Sequence, residues 1–124
     1  MIPISNPAFN ALPDKHEQLV QDAWIGDAVL SLWARLKILQ EDGELDGSKL
    51  IRLTSNRFLA TVGEPTKVEA EIGRVYRAEG LDAANRYIES RLLPSFIRQE
   101  QNRLVRKPVR PRKAGRSLES IRRR

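Results

Sequence analysis

Trp24-Ile25-Gly26-Asp27-Ala28-Val29-Leu30 is the stretch on which the reading of the fold turns. Around it Leu19, Ala23, Leu30 and Ala34 recur at helical spacing with Trp33 beside them, which predicts an amphipathic helix. Gly26 and Asp27 interrupt that pattern. A mid-helix glycine costs about 1 kcal/mol relative to alanine, and a common reason to keep one is the close approach of a second backbone. Asp27 lies four residues after Ala23 and three before Leu30, so the spacing turns it inward, where an unpaired carboxylate is costly.

The same irregularity occurs once more, in Val68-Glu69-Ala70-Glu71-Ile72-Gly73-Arg74-Val75-Tyr76. Glu69 lies four residues before Gly73 and seven before Tyr76, again near the apolar side of a helix. The two interruptions together predict that these helices cross closely and that Asp27 and Glu69 meet at the crossing. Two carboxylates on rigid helices suit Mg²⁺, which takes one or two protein carboxylates and keeps several waters. From the residues alone, a structural salt bridge or an edge position is an equal alternative for each acid.

Working outward, the first helix is expected from Asp14 or Lys15 to about Gln40, with Pro13-Asp14 as its start and Asp42-Gly43 as its end. Asp46-Gly47-Ser48 opens a second helix through about Thr61, with Leu50, Leu53, Phe58 and Val62 inward and Gly63 as a left-handed stop. Pro65 fits the first turn of a third, because its missing N–H would be unpaired there anyway. Val68, Ile72, Val75 and Tyr76 are its expected buried stripe, and Gly80 ends it. A fourth helix runs from Leu81 or Asp82 to about Leu93, and Pro94 ends or kinks it before a continuation through Val105. Period-2 alternation and hairpin turns are missing, so no strand is expected.

The chain has 124 residues, enough for one domain, and 40% are hydrophobic, enough for a modest core. Such a small domain would gain from pairing with a second copy. The absence of cysteine excludes disulfides and thiolate metal sites. A lone His16, read as a surface residue, excludes a histidine-rich zinc site and disfavours a Ser-His-Asp triad. Any metal is then held by carboxylates, which favours Mg²⁺ or Mn²⁺. No run approaches the roughly 18 apolar residues of a membrane span. Residues 1–12 lack the basic start and apolar run of a secretory signal, so a cytoplasmic location and no membrane partner are expected.

Charge is unevenly spread. Residues 98–124 carry 11 Lys/Arg against 2 Asp/Glu, whereas residues 1–97 carry 11 against 14. A mildly acidic body thus precedes a strongly basic tail, of the kind that binds polyanions by releasing condensed counterions. The organisation read from this is an N-terminal arm, residues 1–13, a helical domain, residues 14–105, and a basic tail, residues 106–124. The tail lacks apolar packing residues and is expected to be disordered when free. Its Arg106, Lys107, Arg110, Arg112, Lys113, Arg116, Arg122, Arg123 and Arg124 are the candidate RNA-binding residues.

The motifs resemble those of the ribonuclease III family. Residues 24–30 resemble its Leu/Ile-Gly-Asp-Ala/Ser-Val signature, and Leu53-Thr54-Ser55-Asn56-Arg57-Phe58-Leu59-Ala60 its Val-Ser-Asn-x-x-Leu-Ala helix. Residues 68–76 are similar to its Phe/Val-Glu-Ala-Leu-Ile-Gly-Ala-Ile-Tyr segment, which Gly80-Leu81-Asp82-Ala83-Ala84 and Ile88 continue. The motifs occur in the family's order over about residues 15–95. Ala23 and Val20 stand where the full signature has glutamates, and Thr66 stands where the family usually has aspartate. The nearest form is the single-domain Mini-ribonuclease III type, which also has threonine at that position and no separate double-stranded-RNA-binding domain. Val68 follows Asn56 by only 12 residues, where family members have some tens.

The resemblance implies an all-α, compact ribonuclease III-like domain, shortened, with Asp27 as catalytic aspartate and Glu69 as metal-binding glutamate. It further implies Mg²⁺ or Mn²⁺ as cofactor and structured or double-stranded RNA, such as ribosomal RNA undergoing processing, as substrate. It also implies a homodimer to which Trp24 contributes. The rival expectation is a ribonuclease III-fold RNA- or ribosome-binding protein without cleavage activity. Asp22 is read as a surface acid, and Asn56 as a residue that caps or bridges helices.

Overall fold

The Asp14 side chain accepts a hydrogen bond from the Glu17 amide at 2.7 Å and starts the first helix, α1, Lys15–Asp42. That helix ends at Gly43, whose φ of 74° carries the chain into the left-handed region while its N–H donates to the Leu39 carbonyl. The computed structural model describes residues 14–106. The N-terminal arm and the tail beyond Arg106 lie outside the described residues, as does the side chain of Arg106.

Five further helices follow: α2 (Gly47–Thr54), α3 (Asn56–Leu59), α4 (Pro65–Glu79), α5 (Leu81–Arg91) and α6 (Leu93–Arg106). The protein is all-helical, with no strand among the described residues. None of these helices is long and apolar enough to cross a membrane. Asp46 caps α2 through the Lys49 amide. Glu64 caps α4 through the amides of Lys67 and Thr66, with Pro65 in the first turn as expected. Gly80, at φ 97°, ends α4 and leads directly into α5. Leu92 separates α5 from α6, which places Pro94 in the first turn of a new helix, where its missing N–H leaves no bond unmade.

The segment expected as one helix over residues 46–61 is two. Ser55 is extended (φ −74°, ψ 156°), and its hydroxyl accepts from the Phe58 amide at 3.1 Å. Serine offers the backbone a local alternative to the helical bond, which ends α2 and starts α3. Ser55, rather than Asn56, is the capping residue, and Asn56 is exposed. Gly63 is not left-handed; positive φ among the described residues is confined to Gly43 and Gly80.

The core gathers around α1 and α4, the pair of helices with the most extensive packing. Leu30, Ala34, Ile72, Ala84, Ile88 and Leu92 are fully enclosed, and Phe58 meets Phe96 edge-on at 5.6 Å to fasten α6 to the body. Trp33 is buried in this core, as its spacing suggests, and its indole N–H donates to Glu89 on α5 at 3.4 Å. Tyr76, expected in the buried stripe, is 40% exposed. The face of α4 that meets α1 is centred on Gly73, and Tyr76 falls at its margin.

A candidate metal centre at the crossing of two helices

Gly26 and Gly73 form the contact point of α1 and α4. A Cβ added to Gly26 would overlap the Glu69 carbonyl and lie 2.9 Å from the Gly73 amide nitrogen. A Cβ added to Gly73 would overlap the Asp22 carbonyl and lie 2.9 Å from the Gly26 nitrogen. The relation is reciprocal: each glycine receives the carbonyl of the residue four positions before the other. Backbone therefore packs on backbone, and the crossing expected from the two mid-helix glycines is present.

This crossing decides where the acids go. Asp27 follows Gly26 and sits at the lip of the crossing, exposed rather than facing inward as its spacing suggested. Glu69, whose own carbonyl touches Gly26, is half-buried. The two carboxyl groups meet across the helix pair. Burial, the charge of Asp27, a hydrogen bond shared with Asp27 and the charge of Glu64 push Glu69 up from 4.5 to about 7. Near neutrality Glu69 thus still holds part of a proton that an isolated carboxylate would have released.

Two neighbouring carboxyl groups are also a suitable holder of a hard cation. Both donors are oxygens, and a divalent ion would relieve the same repulsion that a proton on Glu69 relieves. The residues present therefore fit Mg²⁺ or Mn²⁺ held by Asp27 and Glu69. No group of three or more potential ligands occurs among the described residues. Ala23, one turn before Asp27, is buried and carries no donor, and Val20 is half-exposed. Glu64 is the acid that the sequence pattern does not single out. It adds negative potential to the pair while its carboxylate is engaged in capping α4.

Asp22 is the second departure from expectation. It is 8% exposed, not a surface acid, and it is the sole buried charged residue among those described. Its carboxylate accepts from Arg77 on α4 at 3.0 Å and from Gln18 at 3.2 Å. Standing four residues before Gly26, it occupies the face that meets α4, and the long Arg77 side chain reaches it there. The crossing is thus fastened by an opposite-charge pair at one place and left with a like-charge pair at another.

The proton on Glu69 yields a stability prediction. The folded state holds it up to about pH 7, whereas the unfolded chain releases it near 4.5. Between those values the native state binds more protons, so this group's contribution to stability falls as pH rises through the window. Solvent reaching the half-buried carboxyl screens part of the effect and leaves on the order of 1 kcal/mol, or about 5 °C in melting temperature. Cation-free Glu69→Gln is accordingly expected to melt about that much higher than the wild type at pH 8, with the gap closing at pH 5. Thermal melts in chelator at the two pH values check it, and an equal gap at both would contradict the assignment.

The tail arginines and lysines singled out in the sequence, from Arg106 to Arg124, have no described side chains and are not placed relative to this site. His16 is exposed, as expected. Comparison with known proteins returns no match to this chain among family models, curated proteins or solved structures.

Proposed function

We propose that this chain is a divalent-metal-dependent endoribonuclease of the ribonuclease III type, acting on structured or double-stranded RNA, as in ribosomal RNA processing. The observation that carries the reading is the meeting of Asp27 and Glu69 across the Gly26–Gly73 crossing, with Glu69 pushed up to about 7. The order of the sequence motifs supports the same conclusion.

In this reading Asp27 and Glu69 hold Mg²⁺ or Mn²⁺ at the lip of the α1–α4 crossing. When bound, such an ion supplies Lewis-acid stabilisation of phosphate charge and activation of water. Asp27, exposed, faces the incoming phosphodiester, and Glu69, half-buried, anchors the site against the helix pair. The rigid backbone packing beneath them fixes their separation, which is the positioning that such chemistry needs. Arg106 and the basic residues among 107–124 grip the RNA backbone, which is read by shape and phosphate contacts more than by base identity.

A homodimer belongs to this proposal. Trp24 is 78% exposed, and Leu32, Leu36 and Leu39 leave further apolar surface on the solvent side of α1. Pairing of two copies through this stripe would cover it and set two carboxylate pairs on one duplex. Sedimentation equilibrium should give twice the chain mass, and a monomer at micromolar concentration would sink this part.

The direct test of function is incubation of end-labelled duplex RNA with the full chain and Mg²⁺. Discrete cleavage products that vanish in chelator are expected. The two-ligand site, with Ala23 in place of a third donor, also suits a ribonuclease III-fold protein that binds RNA without cutting it. Tight binding with no cleavage in Mg²⁺ or Mn²⁺ would decide for that alternative.

A further inference from the structure

On another part of the molecule, α2, α3 and α6 enclose a depression of about 830 Å³. It shares no residue with the carboxylate pair. Four arginines line it, Arg52, Arg57, Arg98 and Arg103, together with polar side chains such as Ser55 and Asn102, and no acidic residue is among its walls. It exists because Ser55 breaks the chain between α2 and α3, so that α6 packs over the break through Phe96 on Phe58.

Two of the arginines are held by one acid behind the wall. Arg52 donates to Glu100 from Nε at 2.9 Å and from Nη2 at 3.0 Å, and Arg103 stands 3.6 Å from the same carboxylate. Burial works to raise Glu100, but the hydrogen bonds and charges of Arg52 and Arg103 outweigh it and hold Glu100 below the usual carboxylate range. Nε of Arg103 is buried and has no acceptor among the described residues. Arg57 and Arg98 are exposed and form no ion pair among the described residues, Arg98 donating only to Ser95 at 3.4 Å. One carboxylate therefore pairs with two of the four guanidinium groups, and the other two leave positive charge on the cleft wall.

We propose that this cleft is a second, non-catalytic RNA-binding site that takes the phosphate backbone of one strand. Guanidinium forks match phosphate oxygens in pairs. The cleft is far larger than one phosphate requires, which suits a run of backbone. Its α6 wall also leads, at Arg106, straight into residues 107–124, which carry eight Lys/Arg and one Asp/Glu. In the sequence, the α6 arginines of the cleft are therefore followed by a further basic segment. The inference rests on the RNA reading above and adds to it where the folded body grips the strand.

The test is fluorescence anisotropy of a labelled duplex RNA with the full chain in chelator, across a series of KCl concentrations. The double variant Arg57→Ala/Arg98→Ala removes two exposed charges. It should weaken binding about tenfold at moderate salt and lower the slope of log K against log salt by about 2, one for each phosphate that is no longer neutralised. Glu100→Gln removes the internal competitor for Arg52 and Arg103 and should tighten binding, a change that a merely destabilised variant cannot mimic. Wild-type binding with unchanged affinity and slope in both variants overturns the cleft and leaves the endonuclease reading standing. Binding that depends on the cleft without cleavage in Mg²⁺ keeps the inference and removes the endonuclease. A wild type that binds no RNA at low salt overturns both.

Discussion

Gly26→Ala or Gly73→Ala should abolish stable folding or lower the melting temperature by on the order of 15 °C. Adding a methyl group to a packed core costs about 1–3 kcal/mol when neighbouring side chains can adjust. Here the neighbour is main chain: the new methyl would overlap the carbonyl of Glu69 in one case and that of Asp22 in the other. Neither carbonyl can rotate away without breaking its helical bond, so α1 and α4 must separate along their most extensive interface. The roughly 1 kcal/mol gained by replacing glycine with alanine in a helix offsets only part of this. A net loss near 3 kcal/mol is a large fraction of the 5–15 kcal/mol typical of a domain, and it converts to a fall of that size in a protein this small. Gly47 is the control, because nothing lies within 4 Å of a Cβ placed there and its φ is not positive; Gly47→Ala should melt like the wild type. Thermal unfolding of the three variants checks the claim, and a Gly26→Ala protein as stable as the wild type would mean that the helices do not meet as described.

The second large effect concerns chemistry. Asp27→Asn and Glu69→Gln should each reduce cleavage of duplex RNA at least about 10²–10³-fold, with RNA affinity nearly unchanged. Each substitution keeps the size of the side chain and removes the negative charge that, in the proposed mechanism, would hold the cation. Several kcal/mol of charge stabilisation on the reacting phosphate go with it, and each 1.36 kcal/mol of barrier is about tenfold in rate. Asp27 is exposed and Glu69 carries an uncomfortable charge, so neither variant should lose stability, and Glu69→Gln should gain it at high pH. Cleavage rates with saturating Mg²⁺, measured beside binding in chelator, separate this outcome from a simple loss of affinity. Variants that cut at the wild-type rate would remove the pair from the mechanism.

How much of this can be read from the chain depends on whether the signal is local. The α1–α4 crossing is legible because Gly26 and Gly73 are expensive where they stand, and an expensive residue needs a reason. The pairing of Asp27 with Glu69 follows from the same two glycines. Helix ends marked by Asp14, Gly43, Asp46, Pro65 and Gly80 are legible because capping is local chemistry. Asp22 is not, because its partner Arg77 lies 55 residues away and no spacing rule connects them. The break at Ser55 is hidden by apolar residues that keep helical spacing straight through it. The arginine cleft is hidden for a related reason: Arg52 and Arg57 look like ordinary solvent-facing charges until α6 packs beside their helices and brings Arg98 and Arg103 to the same depression.

A cation held between Asp27 and Glu69 should be detected by titrating the full chain with Mn²⁺ at pH 8 and following free Mn²⁺ by electron paramagnetic resonance. The expected result is one ion bound per chain, with binding weakened at pH 5.5, where Glu69 keeps its proton, and abolished in both Asp27→Asn and Glu69→Gln. Equal Mn²⁺ binding by the wild type and both folded variants would contradict it.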